Sequence, residues 1–286
     1  MPELTYLNGK IFEAGETRIS TNDRGFIFGD GIYEVVRSYN GKLFGLEEHL
    51  RRLQQSADAI DLKLPHTLEE FQELVETLNR KSELLETLVY IQVTRGTEPR
   101  NHLFSLDLPP NVFITIRALP DIPGEIYTKG VSAVTVHDGR WNMCHVKSIS
   151  LLANVLAKHE ARKQGAYEAI FVRENGVVTE ASSSNVFMVS GGILHTHPAD
   201  NRILNGITRQ FILKLCDELN IPTEVRPYSK DELRRADEVF CTNSVHEVTP
   251  VVTVDGMTIG SGRPGPITNQ LMRAYRQLVK SVISNQ

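Results

Sequence analysis

Apolar residues recur along this chain at two spacings, and the change from one to the other marks out its elements. Short β-rich runs flank Asn8-Gly9 and Asn40-Gly41: Thr5 to Leu7 with Lys10 to Phe12, and Tyr33 to Tyr39 with Lys42 to Phe44. Asn-Gly readily supplies the left-handed residues of a tight turn, so both pairs read as antiparallel hairpins. From Leu46 the period lengthens. Leu46, Leu50, Leu53, Ala57 and Ile60 step by four and three, which predicts an amphipathic helix. A second helix opens on a capping box, Thr67-x-x-Glu70, and presents Leu68, Phe71, Leu74, Val75 and Leu78 to a core. Strands over Leu88 to Arg95 and Val112 to Arg117 complete an α+β unit. The bend Leu119-Pro120-Asp121-Ile122-Pro123-Gly124 interrupts both periods. This predicts an N-terminal domain over 1–118, a linker over 119–124 and a C-terminal domain over 125–286.

The second half is richer in strands. Asn175-Gly176, Gly191-Gly192 and Asp255-Gly256 signal hairpins, and helices are predicted near 150–164, 206–219, 230–236 and 266–283. The third of these has its own capping box, Ser229-x-x-Glu232. A strand-like run from Val131 to Val146 ends at Lys147. No internal repeat is visible. Strands and helices do not alternate regularly, so two α+β domains meeting at a cleft are expected rather than a doubly wound parallel sheet.

Composition narrows the function classes. The 286 residues are 41% hydrophobic and 23% charged, enough for two modest cores. Asp and Glu (35) outnumber Lys and Arg (31), the formal net charge is −4, and no long basic run occurs, all of which argues against nucleic acid as a partner. Cys144, Cys216 and Cys241 are too few and too dispersed for a disulfide framework or a CxxC metal site. The start, Met1-Pro2-Glu3-Leu4-Thr5, lacks a basic segment followed by an apolar one, and no stretch approaches the ~18 apolar residues of a membrane span. The expectation is a cytoplasmic protein with no membrane partner.

Four places carry candidate chemistry. Lys147 follows a run poor in charge after Arg140 and precedes a helix with Leu151, Leu152, Val155 and Leu156 on one face. That setting would desolvate its amine and lower its pKa, which suits Schiff-base chemistry, although a lysine at a strand end is more often a solvated charge. Glu180 ends a strand before the small polar run Ala181 to Asn185, where a flat ligand could approach and have a ring nitrogen held protonated; an ordinary Ser-rich turn reads equally well. Asn205-Gly206-Ile207-Thr208 opens an apolar-periodic helix whose first amides are available to a phosphate, or simply start a helix. The loop Thr94 to His102 displays Arg95, Arg100 and His102, which suits a carboxylate clamp or a solvated basic loop. There is no HExxH, GxSxG or GxGxxG motif and no carboxylate cluster with metal-ligand spacing, so no metal is expected.

Together these segments resemble the fold type IV family of pyridoxal-phosphate (PLP) enzymes, closest to its D-amino acid aminotransferase branch. The resemblance runs through Asp23 to Glu34, Glu48-His49-Leu50-Arg51-Arg52-Leu53, Lys147-Ser148, Glu180 to Asn185, Gly206-Ile207-Thr208-Arg209 and Glu247-Val248-Thr249-Pro250. The most diagnostic stretch is Thr-Arg-Gly-Thr-x-Pro-Arg-x-His at 94–102, which looks like the carboxylate-recognising loop of the D-specific branch. The resemblance implies two α+β domains with PLP in the cleft between them. It implies that Lys147 bonds to PLP and shuttles the substrate proton, and that Glu180 faces the pyridine nitrogen. Arg52, Ile207, Thr208 and Ser244 would hold the phosphate, and Ser183, Ser184 and Asn243 would line the ring. Tyr33, Arg100 and His102 would grip the substrate carboxylate, the last two from the neighbouring subunit of a homodimer. Ala181 stands where Gly is commoner, and Asn243-Ser244 where a Ser-Thr pair is frequent. Both departures bear on phosphate affinity and substrate range.

The function so implied is transamination between a D-amino acid, such as D-alanine or D-glutamate, and a 2-oxo acid, such as 2-oxoglutarate or pyruvate. The alternatives are a branched-chain L-amino acid aminotransferase, an aminodeoxychorismate lyase and a PLP-storing or metabolite-sensing protein. The last needs a defective Lys or Glu, and neither is missing.

Overall fold

The computed structural model describes residues 3–13 and 15–285. It divides into two compact units: Met1–Pro120 with Val146–Ser150 and Ser281–Gln286, and Asp121–His145 with Leu151–Lys280. A single cut at the bend after Ala118 therefore does not describe the chain, because Val146–Ser150, which contains Lys147, belongs to the first unit.

In the first unit, β1 (Leu4–Leu7), β2 (Lys10–Glu13), α1 (Arg24–Phe28), β3 (Gly31–Tyr39), β4 (Lys42–Leu43), α2 (Leu46–Asp58), α3 (Leu68–Ser82), β5 (Thr87–Thr94) and β6 (Asn111–Ala118) follow in order. The strands form one antiparallel sheet in the order β2-β1-β6-β5-β3-β4. Asn8-Gly9 and Asn40-Gly41 turn its hairpins with positive φ at all four residues. Alternation buries Val89, Ile91 and Val93 of β5 and Val112, Ile114 and Ile116 of β6. Leu50, Leu53 and Ala57 of α2 and Phe71, Val75 and Leu78 of α3 are buried on the faces their spacing predicts, and the Thr67–Glu70 capping box is complete. On β3 the buried row reads Ile32, Glu34, Val36, Ser38. A carboxylate in that row needs partners, and α2 supplies them.

The second unit comprises α4 (Glu125–Thr128), β7 (Val131–His137), α5 (Leu152–Lys163), β8 (Glu168–Val172), β9 (Val177–Ala181), β10 (Asn185–Ser190), β11 (Ile193–Thr196), α6 (Ile207–Glu218), β12 (Thr223–Val225), β13 (Tyr228–Ser229), α7 (Lys230–Arg234), β14 (Glu238–Asn243), β15 (Glu247–Val254), β16 (Met257–Thr258) and α8 (Pro266–Asn285). Its sheet runs β12-β11-β10-β14-β15-β7-β8-β9-β13, with β16 paired to β15. Three pairs, β11 with β12, β15 with β7 and β7 with β8, are parallel. Among the described residues no helix is long and apolar enough to cross a membrane.

Two local expectations are corrected. The strand-like run does not reach Val146: β7 stops at His137, because the Asp138 carboxylate accepts the Arg140 amide at 3.2 Å and turns the chain out of the sheet. The apolar stripe of α5 does not form a core face either. Ala157 and Ala161 pack on Val134, Ala169 and Phe171, while Leu152, Val155 and Leu156 are 71%, 60% and 58% exposed. Only small side chains fit where this helix lies on β7 and β8, so the larger ones turn outward.

Candidate active site

In the first unit Lys147 is laced to β3 by its backbone. Its carbonyl accepts the Tyr33 amide at 2.9 Å, and its own amide donates to Ser56 Oγ of α2 at 3.1 Å. Ser148 bridges Ile32, and the Ile149 amide reaches the Gly31 carbonyl at 3.0 Å. This irregular segment therefore behaves as a short extra strand, which aims the lysine rigidly. Its Nζ lies 4.2 Å from the centroid of the Tyr33 ring, which is stacked on Tyr90.

Beside it is a buried charge network absent from any sequence pattern. Glu34 accepts from Arg52 Nε and Nη2 at 2.7 and 2.8 Å, and from His49 Nδ1 at 2.6 Å. Burial opposes the charge on Glu34, but Arg52 and His49 outweigh it and hold the carboxyl well below its usual range. Burial lowers the His49 pKa, against the pull of Glu34. Arg52, a candidate phosphate ligand, thus has two of its guanidinium nitrogens committed to Glu34, which fixes its orientation.

The 94–102 loop separates its two arginines by role. Arg95 is buried on Asp30 and on the Ile60 and Asp61 carbonyls. Arg100 and His102 are exposed and both lie near the Phe28 ring, at 5.3 and 5.6 Å from its centroid. Arg24 holds the loop by donating to Glu98 at 3.1 Å and to the Asn101 and His102 carbonyls at 2.7 and 3.4 Å.

In the second unit Glu180 is buried on β9. It accepts from Arg140 Nη1 at 2.6 Å, from the Leu204 amide at 3.0 Å and from Asn185 Nδ2 at 3.2 Å. Arg140 is in turn held by Asp138, at 2.9 and 3.1 Å. Burial pushes the Glu180 carboxyl above its usual range, with Arg140 and Leu204 acting the other way. Arg140 and Asp138 carry no local sequence signal, because no spacing links them to Glu180; the turn that ends β7 brings them there.

Gly206 precedes α6 without any side-chain cap, so the first-turn amides are left to an external acceptor. A Cβ on Gly206 would sit 2.1 Å from Asn185 Oδ1, so a larger residue would push Asn185 off its bonds to Glu180 and the Leu204 carbonyl. Ser183 and Ser184 donate to the buried Glu168 at 3.2 and 3.4 Å, and Asn243 Nδ2 donates to Ser184 at 2.9 Å. Asn243 Oδ1 also accepts the Val245 and His246 amides, which shapes the turn that carries Ser244. The run after Glu180 is therefore tied down from below through Glu168, and it is not a solvated loop.

The sequence profile of amino-transferase class IV matches residues 31–254. The chain is 43% identical to the D-alanine aminotransferase of Staphylococcus aureus (strain MSSA476) over 279 residues, 98% of this chain and 99% of the relative. It is also 43% identical to the D-alanine aminotransferase of Bacillus licheniformis over 275 residues, 96% of each. Among solved structures, the branched-chain amino acid aminotransferase of Escherichia coli superposes with a TM-score of 0.92 at 26% identity, over 98% of this chain and 95% of that one. The chain belongs to the class IV aminotransferases and has the type IV fold. Its cofactor is pyridoxal 5′-phosphate, acting on amino acids and 2-oxo acids.

The residues present fit that group. The second unit offers a buried carboxylate for a ring nitrogen and an uncapped helix end after Gly206 for a phosphate. The first offers a primary amine on a braced segment.

Proposed function

We propose that the chain transfers amino groups between D-amino acids and 2-oxo acids, with D-alanine and D-glutamate as donors and pyruvate or 2-oxoglutarate as acceptors. The observation that carries this reading is the 43% identity, over nearly the full length, to relatives named D-alanine aminotransferase. The likeness to a branched-chain enzyme stands at 26%.

When bound, pyridoxal phosphate supplies an electron sink for the charge left on the substrate Cα. Lys147 would hold the cofactor through its amine and, once the substrate amine has replaced it, carry the proton from the substrate Cα to the cofactor's C4′ carbon. The bracing of its backbone by Tyr33 and Ser56 supports one direction of approach. Glu180 keeps a proton on the pyridine nitrogen. A carboxylate whose proton affinity is raised by burial shares a proton with that base more evenly than a solvated one would. The amides of Ile207 and Thr208, with Arg52 and Ser244, hold the phosphate, and Ser183, Ser184 and Asn243 border the ring. Tyr33 together with Arg100 and His102 from a second copy of the chain grips the substrate carboxylate.

A homodimer agrees with the surface of the first unit, where Phe26, Leu103 and Leu106, neighbours in sequence of that clamp, are 76%, 80% and 88% exposed. A cytoplasmic enzyme agrees with three cysteines that are all buried and unpaired. The test is a transaminase assay with chiral donors. D-alanine with 2-oxoglutarate should turn over, and L-leucine and L-valine should show little activity. Faster turnover of the L-donors would replace this reading with the branched-chain one.

A further inference from the structure

Arg209 is the third residue of α6 and is 3% exposed. Side chains on a helix lean toward its N-terminus, and this one does so. Nη1 donates to Asn205 Oδ1 at 3.0 Å, ahead of the helix, and Nη2 donates to the His197 carbonyl at 2.9 Å. Nε has no hydrogen-bond partner. Among the described residues no carboxylate forms an ion pair with it. Helix N-termini carry partial positive charge and favour acids in their first turn, yet α6 has none there and buries a full cation instead. An unpaired buried cation is destabilising unless an anion is brought to it. Burial lowers the Arg209 pKa, and the only carboxylate acting the other way is Glu180.

We infer that Arg209 is a positioning residue for the phosphate. Its guanidinium holds the Asn205 turn ahead of Gly206 and adds a whole charge to the open end of α6. This helix end therefore carries a buried cation that has no ion-pair partner among the described residues and that a phosphate would neutralise. This rests on the reading that the α6 end takes the cofactor's phosphate. It deepens that reading by making phosphate binding and the stability of this region one linked event.

The full-length chain, freed of cofactor, is titrated with inorganic phosphate by calorimetry and melted in chloride and in phosphate. Arg209→Met should weaken phosphate binding by roughly tenfold, because the charge near the anion is gone. Its melting temperature in chloride should equal or exceed that of the wild type, an outcome that a purely structural arginine would not give. Arg209→Lys, which keeps the charge and loses the fork, should bind phosphate within about threefold of the wild type. Binding by Arg209→Met within about twofold of the wild type overturns the inference, as does a lysine variant no better than methionine. Should Arg209→Met fail to fold, Arg209→Gln takes its place; failure of both shows that the cation is compensated without phosphate and overturns the inference too. Gly206→Ala separates the two layers, since its Cβ would collide with Asn185 Oδ1 and shift the turn that opens α6. Unchanged phosphate binding in Gly206→Ala removes the phosphate site itself. Weakened binding there beside unchanged binding in Arg209→Met removes only the role of Arg209.

Discussion

Replacing Glu180 with Gln tests the two loads on this side chain separately. The carboxylate accepts Arg140 on Oε1, and Leu204 N–H and Asn185 Nδ2 on Oε2. An amide has only one oxygen, so in either flip its NH2 group faces a donor. One unmatched donor pair costs about 1–3 kcal/mol. The lost attraction to Arg140 is about 4 kcal/mol at 4 Å between charges and an effective dielectric near 20. Two effects reduce it: Arg140 keeps its bonds to Asp138, and a neutral amide is relieved of the desolvation that raises the Glu180 pKa. We therefore expect a net loss of about 1–3 kcal/mol in urea unfolding. The catalytic loss should be larger, roughly a thousandfold or about 4 kcal/mol, because an amide cannot hold a pyridinium proton as a carboxylate does. Stopped-flow absorbance in a single half-reaction with D-alanine reads it. A rate within about threefold of the wild type, with stability lowered as expected, would refute the assignment of Glu180 to the pyridine nitrogen and leave it a purely structural carboxylate.

Other outcomes follow from the same geometry. Lys147→Ala should abolish turnover, and borohydride reduction of the wild type with peptide mapping should place the label on Lys147; a label on another lysine sinks the assignment. Mixing inactive Lys147→Ala and Arg100→Ala chains under subunit exchange should restore part of the activity, since one site per hybrid would be intact; hybrids without activity count against a shared site. Burial opposes the charge on Asp255, but the Thr135 amide and hydroxyl, Arg234 and Lys230 prevail and hold it at about 2. Because this pKa lies below that of the unfolded chain, the stability it contributes is present above about pH 4 and is lost as pH falls toward 2. Asp255→Asn should flatten that part of the acid-unfolding curve by about 1 kcal/mol after solvent screening, and an unchanged curve would refute the linkage.

Much of the architecture is written in short-range pattern. The hairpins at Asn8-Gly9, Asn40-Gly41 and Asp255-Gly256, the capping boxes at Thr67 and Ser229, and the buried faces of α2 and α3 are each decided by a few neighbouring residues. Lys147, Glu180 and the Gly206 turn were legible as candidates for the same reason, since each sits beside small or apolar residues in the chain. What surrounds them was not. Val131 to Val146 has the composition of one long strand, yet Asp138 ends it by turning back on the Arg140 amide, and that turn carries Arg140 to Glu180 forty positions away. The apolar residues of α5 have a helical spacing that fits a core, yet the sheet beneath admits only Ala157 and Ala161. Glu34 reads as one polar position in an alternating strand, and only the packing of α2 against β3 shows that it aligns Arg52 and His49. By itself the sequence determined most of the elements and the candidate side chains, because hydrogen bonding along the chain and periodicity are local. Tertiary structure alone decided which charges meet, because a buried ion selects its partner by proximity in space, across sequence separations that no pattern records.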